Sequence, residues 1–183
     1  MIGDLLREAE HKMELAVEHV GNEFSTVRTG RANPQLLHRI QVDYYGSLTG
    51  LQQLASISVP EPRMLVVQPF DKSSVGNIER AIQQSDLGLN PSSDGNVIRI
   101  SFPPLTEERR KDLIKLVRHM AEEGRVAVRS VRRNSKADME ALHGEISDDD
   151  IRRGEDELQK LTDRFVDRVD TLLSNKEEEL LEV

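Results

Sequence analysis

The chain has 183 residues and a formal charge of −8; it is 37% hydrophobic and 32% charged, with no Cys and no Trp. That is enough apolar material for a modest core; it excludes a disulfide scaffold or thiolate metal site and fits a reducing compartment. No apolar run reaches the 18 residues of a membrane span, and the charged, amphipathic start MIGDLLREAEHKM does not read as a secretory signal.

The first segment places Ile2, Leu5, Leu6, Ala9, Met13, Val17, Val20, Phe24 and Val27 at helical spacing. It predicts a helix over 1–29, stopped by Gly30 as a C′ residue. All seven prolines lie between 34 and 104, so a mixed block replaces helix there. Within it, 40–45 alternates with Ile40, Val42 and Tyr44 on one face, 46–50 reads as a turn, and 57–59, 64–67 and 97–102 read as strands. Residues 74–85 read as a helix and 87–95 as a loop. A second long helix starts at Thr106 as N-cap with Glu107 and Glu108 in its first turn. Its apolar line runs Leu113, Val117, Met120, Gly124, Val128, Val131, Ser135, Met139, Leu142. A third starts at Ser147, with Asp150 as a capping-box-like partner, and carries Ile151, Leu158, Leu161, Phe165, Val169, Leu172 and Leu180.

At ~1.5 Å per residue these helices span roughly 42, 55 and 52 Å, longer than the ~40 Å diameter of a compact globule of this size. The expected architecture is elongated α+β. Residues 1–30 and 105–183 form a three-helix bundle whose amphipathic stripes close on one another, and 31–104 form an inserted α/β domain. The two tethers, Gly30 with Arg31 and Pro103 with Pro104, would act as a hinge.

Catalytic signals are nearly absent: the chain has no Gly-rich phosphate loop and no GxSxG. Its five His show no metal-ligand spacing, and Asp148-Asp149-Asp150 suits a helix N-terminus better than a cation site. Tyr44-Tyr45 offers either a base-stacking platform or an alternating strand with one ring buried. No enzymatic activity, cofactor or metal is expected.

Charge is unevenly placed: −3 over 1–29, 0 over 30–104, +5 over 105–136 and −10 over 137–183. On the second helix, projected at 100° per residue, Lys111, Arg118, Arg125, Arg129, Arg132 and Lys136 fall within about ±40° of one line some 38 Å long. Arg133 lies beside it, and of the remaining residues in that window only Ile114 and Glu122 are not basic. Like charges on one helix face repel, so such a row points to phosphates, and the excess of Arg suits bidentate contacts. The alternative is a solvated face screened by acidic neighbouring helices. The row is expected to flank the core and stay exposed. Arg28 and Arg31, near the first helix end, are explained either by the helix dipole or by a functional role.

The stretches TVRTGRANP (26–34), VDYYG (42–46), QLASI (53–57), SDLGLNP (85–91), PPLTEERRKDL (103–113) and VAVRSVRR (126–133) resemble the ribosome recycling factor family, in order and over essentially the whole chain. The resemblance implies an L-shaped protein, a long three-helix bundle with an inserted α/β domain. It also implies a cytoplasmic, monomeric, non-enzymatic factor that binds the post-termination ribosome. With elongation factor G and GTP, such a factor splits the subunits and releases mRNA and deacylated tRNA. Carried over, Arg129, Arg132 and Arg133 match the face that binds large-subunit ribosomal RNA, with Arg118, Arg125 and Lys136 on the same line. Arg28 and Arg31 match an RNA-near corner at the hinge. Two departures are the 142–145 join, about two residues short, and Gly124, where Ala would gain about 1 kcal/mol of helix propensity. A structural coiled-coil interaction protein is the rival reading; the 31–104 insert has no use in one.

Overall fold

The computed structural model describes residues 1–182. In chain order the elements are α1 (Ile2–Thr26), β1 (Gln41–Tyr44), β2 (Ser47–Gly50), a one-turn α2 (Leu51–Leu54), β3 (Ala55–Glu61), β4 (Met64–Pro69), α3 (Val75–Gln83), β5 (Pro91–Ser93), β6 (Ile98–Ser101), α4 (Glu107–Glu140) and α5 (Asp148–Leu181). Short 3₁₀ turns at Pro34–Leu37 and Lys72–Ser74 precede β1 and α3. The chain divides into two compact units, Met1–Arg28 with Thr106–Glu182, and Thr29–Leu105.

In the first unit α1, α4 and α5 pack against one another. Each contributes one apolar stripe: Ala9, Met13, Val17, Val20 and Phe24 from α1, Leu113, Val117, Ala121 and Val128 from α4, Ile151, Leu158, Phe165 and Val169 from α5. Ala121 and Thr162, absent from the predicted lines, are buried, while Met120 and Leu161 are only half-buried. Both long helices start where their caps predict. Thr106 Oγ1 accepts from the Arg109 N–H at 3.1 Å, and Ser147 Oγ accepts from the Asp150 N–H at 3.2 Å while donating to its carboxylate at 2.7 Å. These contacts satisfy amides that the helix ladder leaves open.

Two helix expectations fail. First, α1 ends at Thr26, four residues before Gly30. The Ser25 and Thr26 hydroxyls bond back to the carbonyls of Asn22 and Glu23 at 2.6 Å, a competition that weakens the last turn. Val27 then turns extended (φ −81°) and is buried. Gly30 does adopt φ +76°, but in the connection beyond the helix. Second, Gly124 is not a misplaced Ala. It is buried, and a Cβ built on it would overlap Val20 Cγ2 of α1, so glycine there sets the approach of α1 to α4.

The second unit holds a β1–β2 hairpin and an antiparallel sheet in the order β3-β4-β6-β5. The predicted 46–50 turn is mostly strand β2, since the reversal takes only Tyr45 and Gly46. Both have positive φ (50° and 82°), as a two-residue type I′ hairpin turn requires. Within the predicted 87–95 loop, Pro91–Ser93 forms β5. It is an edge strand, where a missing N–H is tolerated. Alternation buries Leu65 and Val67 on β4 and Ile98 and Ile100 on β6. These join Leu37, Val42, Leu51 and the Ile78 and Ile82 face of α3 in one core.

Candidate nucleic-acid interface

The basic row lies along α4, a helix of 34 residues. Packing against α5 divides it in two. Arg118, Arg125 and Arg132, seven residues apart, reach across the seam to α5. Arg118 Nε donates to Glu177 at 2.5 Å, Arg125 Nε to Asp170 at 2.7 Å, and Arg132 Nη1 to Gln159 Oε1 at 3.3 Å. Partners descend along α5 as the arginines ascend α4, so the helices run antiparallel. The seven-residue repeat keeps each pair on the flank of the core, as at the edge of a coiled coil. Lys136 also crosses the seam, at 3.8 Å from Glu155, and lies 3.6 Å from Glu140. Lys111 pairs along its own helix with Glu107 at 2.9 Å.

Arg125 corrects the expectation of an exposed row. Its side chain is only 18% exposed and is held on two sides, by Asp170 at 2.6 Å and Glu122 at 2.9 Å. Burial works against its charge, yet the hydrogen bonds and charges of Asp170 and Glu122 outweigh this and raise its pKa above the ordinary arginine value. The Glu177 hydrogen bond does the same for Arg118, whose side chain stays 64% exposed. Both arginines serve the α4–α5 seam.

Arg129 and Arg133, one turn apart, form the outward part of the row. Arg129 is half-exposed in area and meets one acid, Glu122, at 3.3 Å. Arg133 is exposed, and its side chain has no hydrogen bond or ion pair among the described residues. Arg132 stands between seam and solvent, with the neutral Gln159 as its polar partner. Arg129, Arg132 and Arg133 lie together at one end of the row, and none of them has a carboxylate of α5 as partner among the described residues. The sequence reading named all three. Asp170 and Glu177, which take up Arg125 and Arg118, stand seven residues apart on α5 and so mirror the arginine repeat.

Arg28 and Arg31 are both exposed, on either side of buried Thr29. Gly30 packs its Cα face toward Leu105 and the Pro103 carbonyl: a Cβ would stand 3.5 Å and 3.6 Å from them. Tyr44 and Tyr45 do not build a stacking platform. Their rings meet edge-on, centroids 4.6 Å apart at 71°. The Tyr44 hydroxyl donates to Asp71 at 3.0 Å, which raises its pKa, and only Tyr45 is well exposed. Asp148 faces His143 Nδ1 at 3.0 Å and Asp150 is engaged by Ser147 and Arg153. Among the described residues no group of three His, Cys, Asp or Glu could hold a metal ion, and no helix is long and apolar enough to cross a membrane.

An antiparallel helical bundle interrupted after its first helix by an α/β unit, with a cation row on the helix that follows, defines a two-unit α+β class of protein. The family profile described as ribosome recycling factor matches residues 20–181. The ribosome-recycling factors of Halalkalibacterium halodurans and Rubrobacter xylanophilus are 55% identical over 100% of both chains and 56% identical over 97% of both. The chain belongs to the ribosome recycling factor family. A solution structure of ribosome recycling factor is similar across 100% of this chain and 98% of its own, with 46% identity and a TM-score of 0.77. Similar too is a Thermus thermophilus (T. thermophilus) factor placed with Escherichia coli (E. coli) elongation factor G on the E. coli post-termination complex. It shows 45% identity over 99% of both chains and a TM-score of 0.64.

Proposed function

We propose that this chain binds the post-termination ribosome through the outward end of α4, where Arg129, Arg132 and Arg133 contact phosphates of large-subunit RNA. With elongation factor G and GTP it would then promote subunit splitting and release of mRNA and deacylated tRNA. The observation that carries the reading is the pairing pattern on α4. The arginines at 118 and 125 are committed to carboxylates of α5, whereas 129, 132 and 133 keep guanidinium edges for a ligand. Guanidinium forks match phosphate oxygens bidentately. The structure of a relative on the post-termination complex supports the choice of partner. Arg28 and Arg31 would add RNA contacts of their own.

In this reading the protein works as a cytoplasmic monomer and catalyses no bond change, the GTP being used by the elongation factor. The chain passes between its two units at Arg28–Thr29 and at Leu105–Thr106. Gly30, Arg31, Pro103 and Pro104, beside those crossings, would serve as the hinge. The test is a splitting assay on post-termination ribosomes. Full activity should require this protein, elongation factor G and GTP together, and the purified chain alone should turn over no GTP. Splitting unaffected by omission of the protein, or GTP turnover by it alone, would refute the proposal.

A further inference from the structure

Glu122 is the one acid within the basic row of α4, and it forks between two of the arginines. Oε2 accepts from Arg125 Nη1 at 2.9 Å, and Oε1 from Arg129 Nη1 at 3.3 Å. The two contacts are unequal. Arg125 is covered and also held by Asp170, so a ligand gains little access to it. Arg129 is 50% exposed, its contact is long, and Glu122 is its one acid partner among the described residues. A carboxylate presents to a guanidinium the same pair of oxygens that a phosphate does, and an exposed ion pair of this kind is weak enough to be displaced. We propose that Glu122 is an internal competitor for phosphate: it occupies Arg129 in the free protein and disfavours loose engagement of unrelated polyanions. It yields when an RNA surface also meets Arg132 and Arg133. Specificity of this kind comes from a repulsive element against wrong partners as much as from attraction to the right one. The proposal rests on the reading of α4 as the RNA-facing helix.

The probe is poly(U), a structureless single-stranded RNA, titrated by fluorescence anisotropy over a range of salt. Glu122→Gln keeps the size and hydrogen-bonding shape of the side chain and removes its charge. It should bind poly(U) about two- to fivefold more tightly at low salt, the scale of an exposed ion pair. The slope of log K against log salt should steepen by up to ~0.7, one further phosphate contact to a single strand. Glu123→Gln makes the same change in net charge one residue away, where the carboxylate pairs with His119 at 3.3 Å, and should change little. Adding Arg129→Ala to Glu122→Gln should abolish the gain. The inference is overturned if the two Gln variants behave alike, if the gain survives loss of Arg129, or if neither wild type nor Glu122→Gln binds poly(U) at the lowest salt. Ribosome sedimentation of Arg132→Ala separates the two failures. Unchanged ribosome binding there sinks the RNA-facing reading and this inference with it. Weakened binding, with Glu122→Gln behaving like Glu123→Gln, sinks this inference alone.

Discussion

Gly124 of α4 faces Val20 of α1 so closely that glycine has no room for even one added methyl: a Cβ there would overlap Val20 Cγ2. Val20 is β-branched and 1% exposed, so its rotamer is stiff and has nowhere to go. Helix propensity favours Ala over Gly by about 1 kcal/mol, whereas overpacking a tight site costs ~1–3 kcal/mol. Gly124→Ala is therefore expected to lower stability by about 1 kcal/mol net. Pairing it with Val20→Ala should recover part of the loss, as contacting residues couple. Urea unfolding of the four-member cycle checks this; a stabilised Gly124→Ala protein would mean that propensity decides the site.

That site also shows what sequence reading can reach. The starts of α4 and α5 were legible because Thr106 and Ser147 act within one turn of themselves. The helix end at Thr26 was not, because the signal of Gly30 is a positive φ used by the connection instead. Strand β2 hid behind its polar composition, and β5 behind Pro91; both depend on partners distant in sequence or on edge position. The arginine row followed from periodicity within one helix. Its division into seam and outward parts needed the antiparallel register of α4 against α5, which no single-helix projection contains.

Arg125 and Arg132 should fail in opposite ways. Arg125→Ala removes a covered guanidinium from between Asp170 and Glu122 and leaves those acids facing each other. It is expected to cost about 1 kcal/mol of stability with a small effect on ribosome affinity per folded molecule. Arg132→Ala breaks one contact to Gln159 and should leave the melting temperature almost unchanged. Thermal unfolding measured beside ribosome sedimentation distinguishes them; equal loss of binding by both would restore Arg125 to the RNA-facing set.

Gly30 sits at φ +76°, a conformation that costs an L side chain roughly 1–2 kcal/mol. A Val there should destabilise the protein by about that much through its backbone conformation, since the added Cβ itself would make only an ordinary contact, 3.5 Å from Leu105 Cγ. Asn, which enters this region most readily, should be better tolerated. The folding penalty must be measured before any loss of splitting is assigned to the hinge. A Gly30→Val protein as stable as wild type would show that the left-handed backbone is not required.

Asp94 caps the turn between β5 and β6. Its carboxylate accepts from the Val97 and Asn96 amides at 3.0 Å and from Arg99 at 2.9 Å. Those bonds lower its pKa from 3.8 to about 2. A carboxyl whose folded pKa is depressed contributes stability that is present above its unfolded pKa and is lost as pH falls through the folded value. The turn should therefore lose its support between about pH 4 and pH 2. Protection of the Asn96 and Val97 amides, taken relative to the intrinsic exchange rate at each pH, should fall over that window, and Asp94→Asn should flatten the dependence. Exchange at these amides that is independent of pH-linked opening in the wild type would contradict the assignment.

The outward arginines carry the decisive binding prediction. If Arg129, Arg132 and Arg133 neutralise phosphates, docking releases counterions, and log K falls linearly with log salt. Each lost contact should lower the slope by about 0.7–0.9. Arg132→Ala and Arg129→Ala are each expected to weaken ribosome binding and flatten the slope by at most about one unit. Arg133→Ala should do the same with the least structural disturbance, since its side chain has no hydrogen bond or ion pair among the described residues. Their combined effects should be roughly additive if each meets its own phosphate. Lys12, 55% exposed on α1 and paired with Glu8, removes the same charge from a different helix. Sedimentation across salt, with circular dichroism on every variant, gives the comparison. An Arg132→Ala protein with wild-type affinity and slope, or a Lys12→Ala protein equally impaired, would show that net charge rather than this end of α4 governs docking.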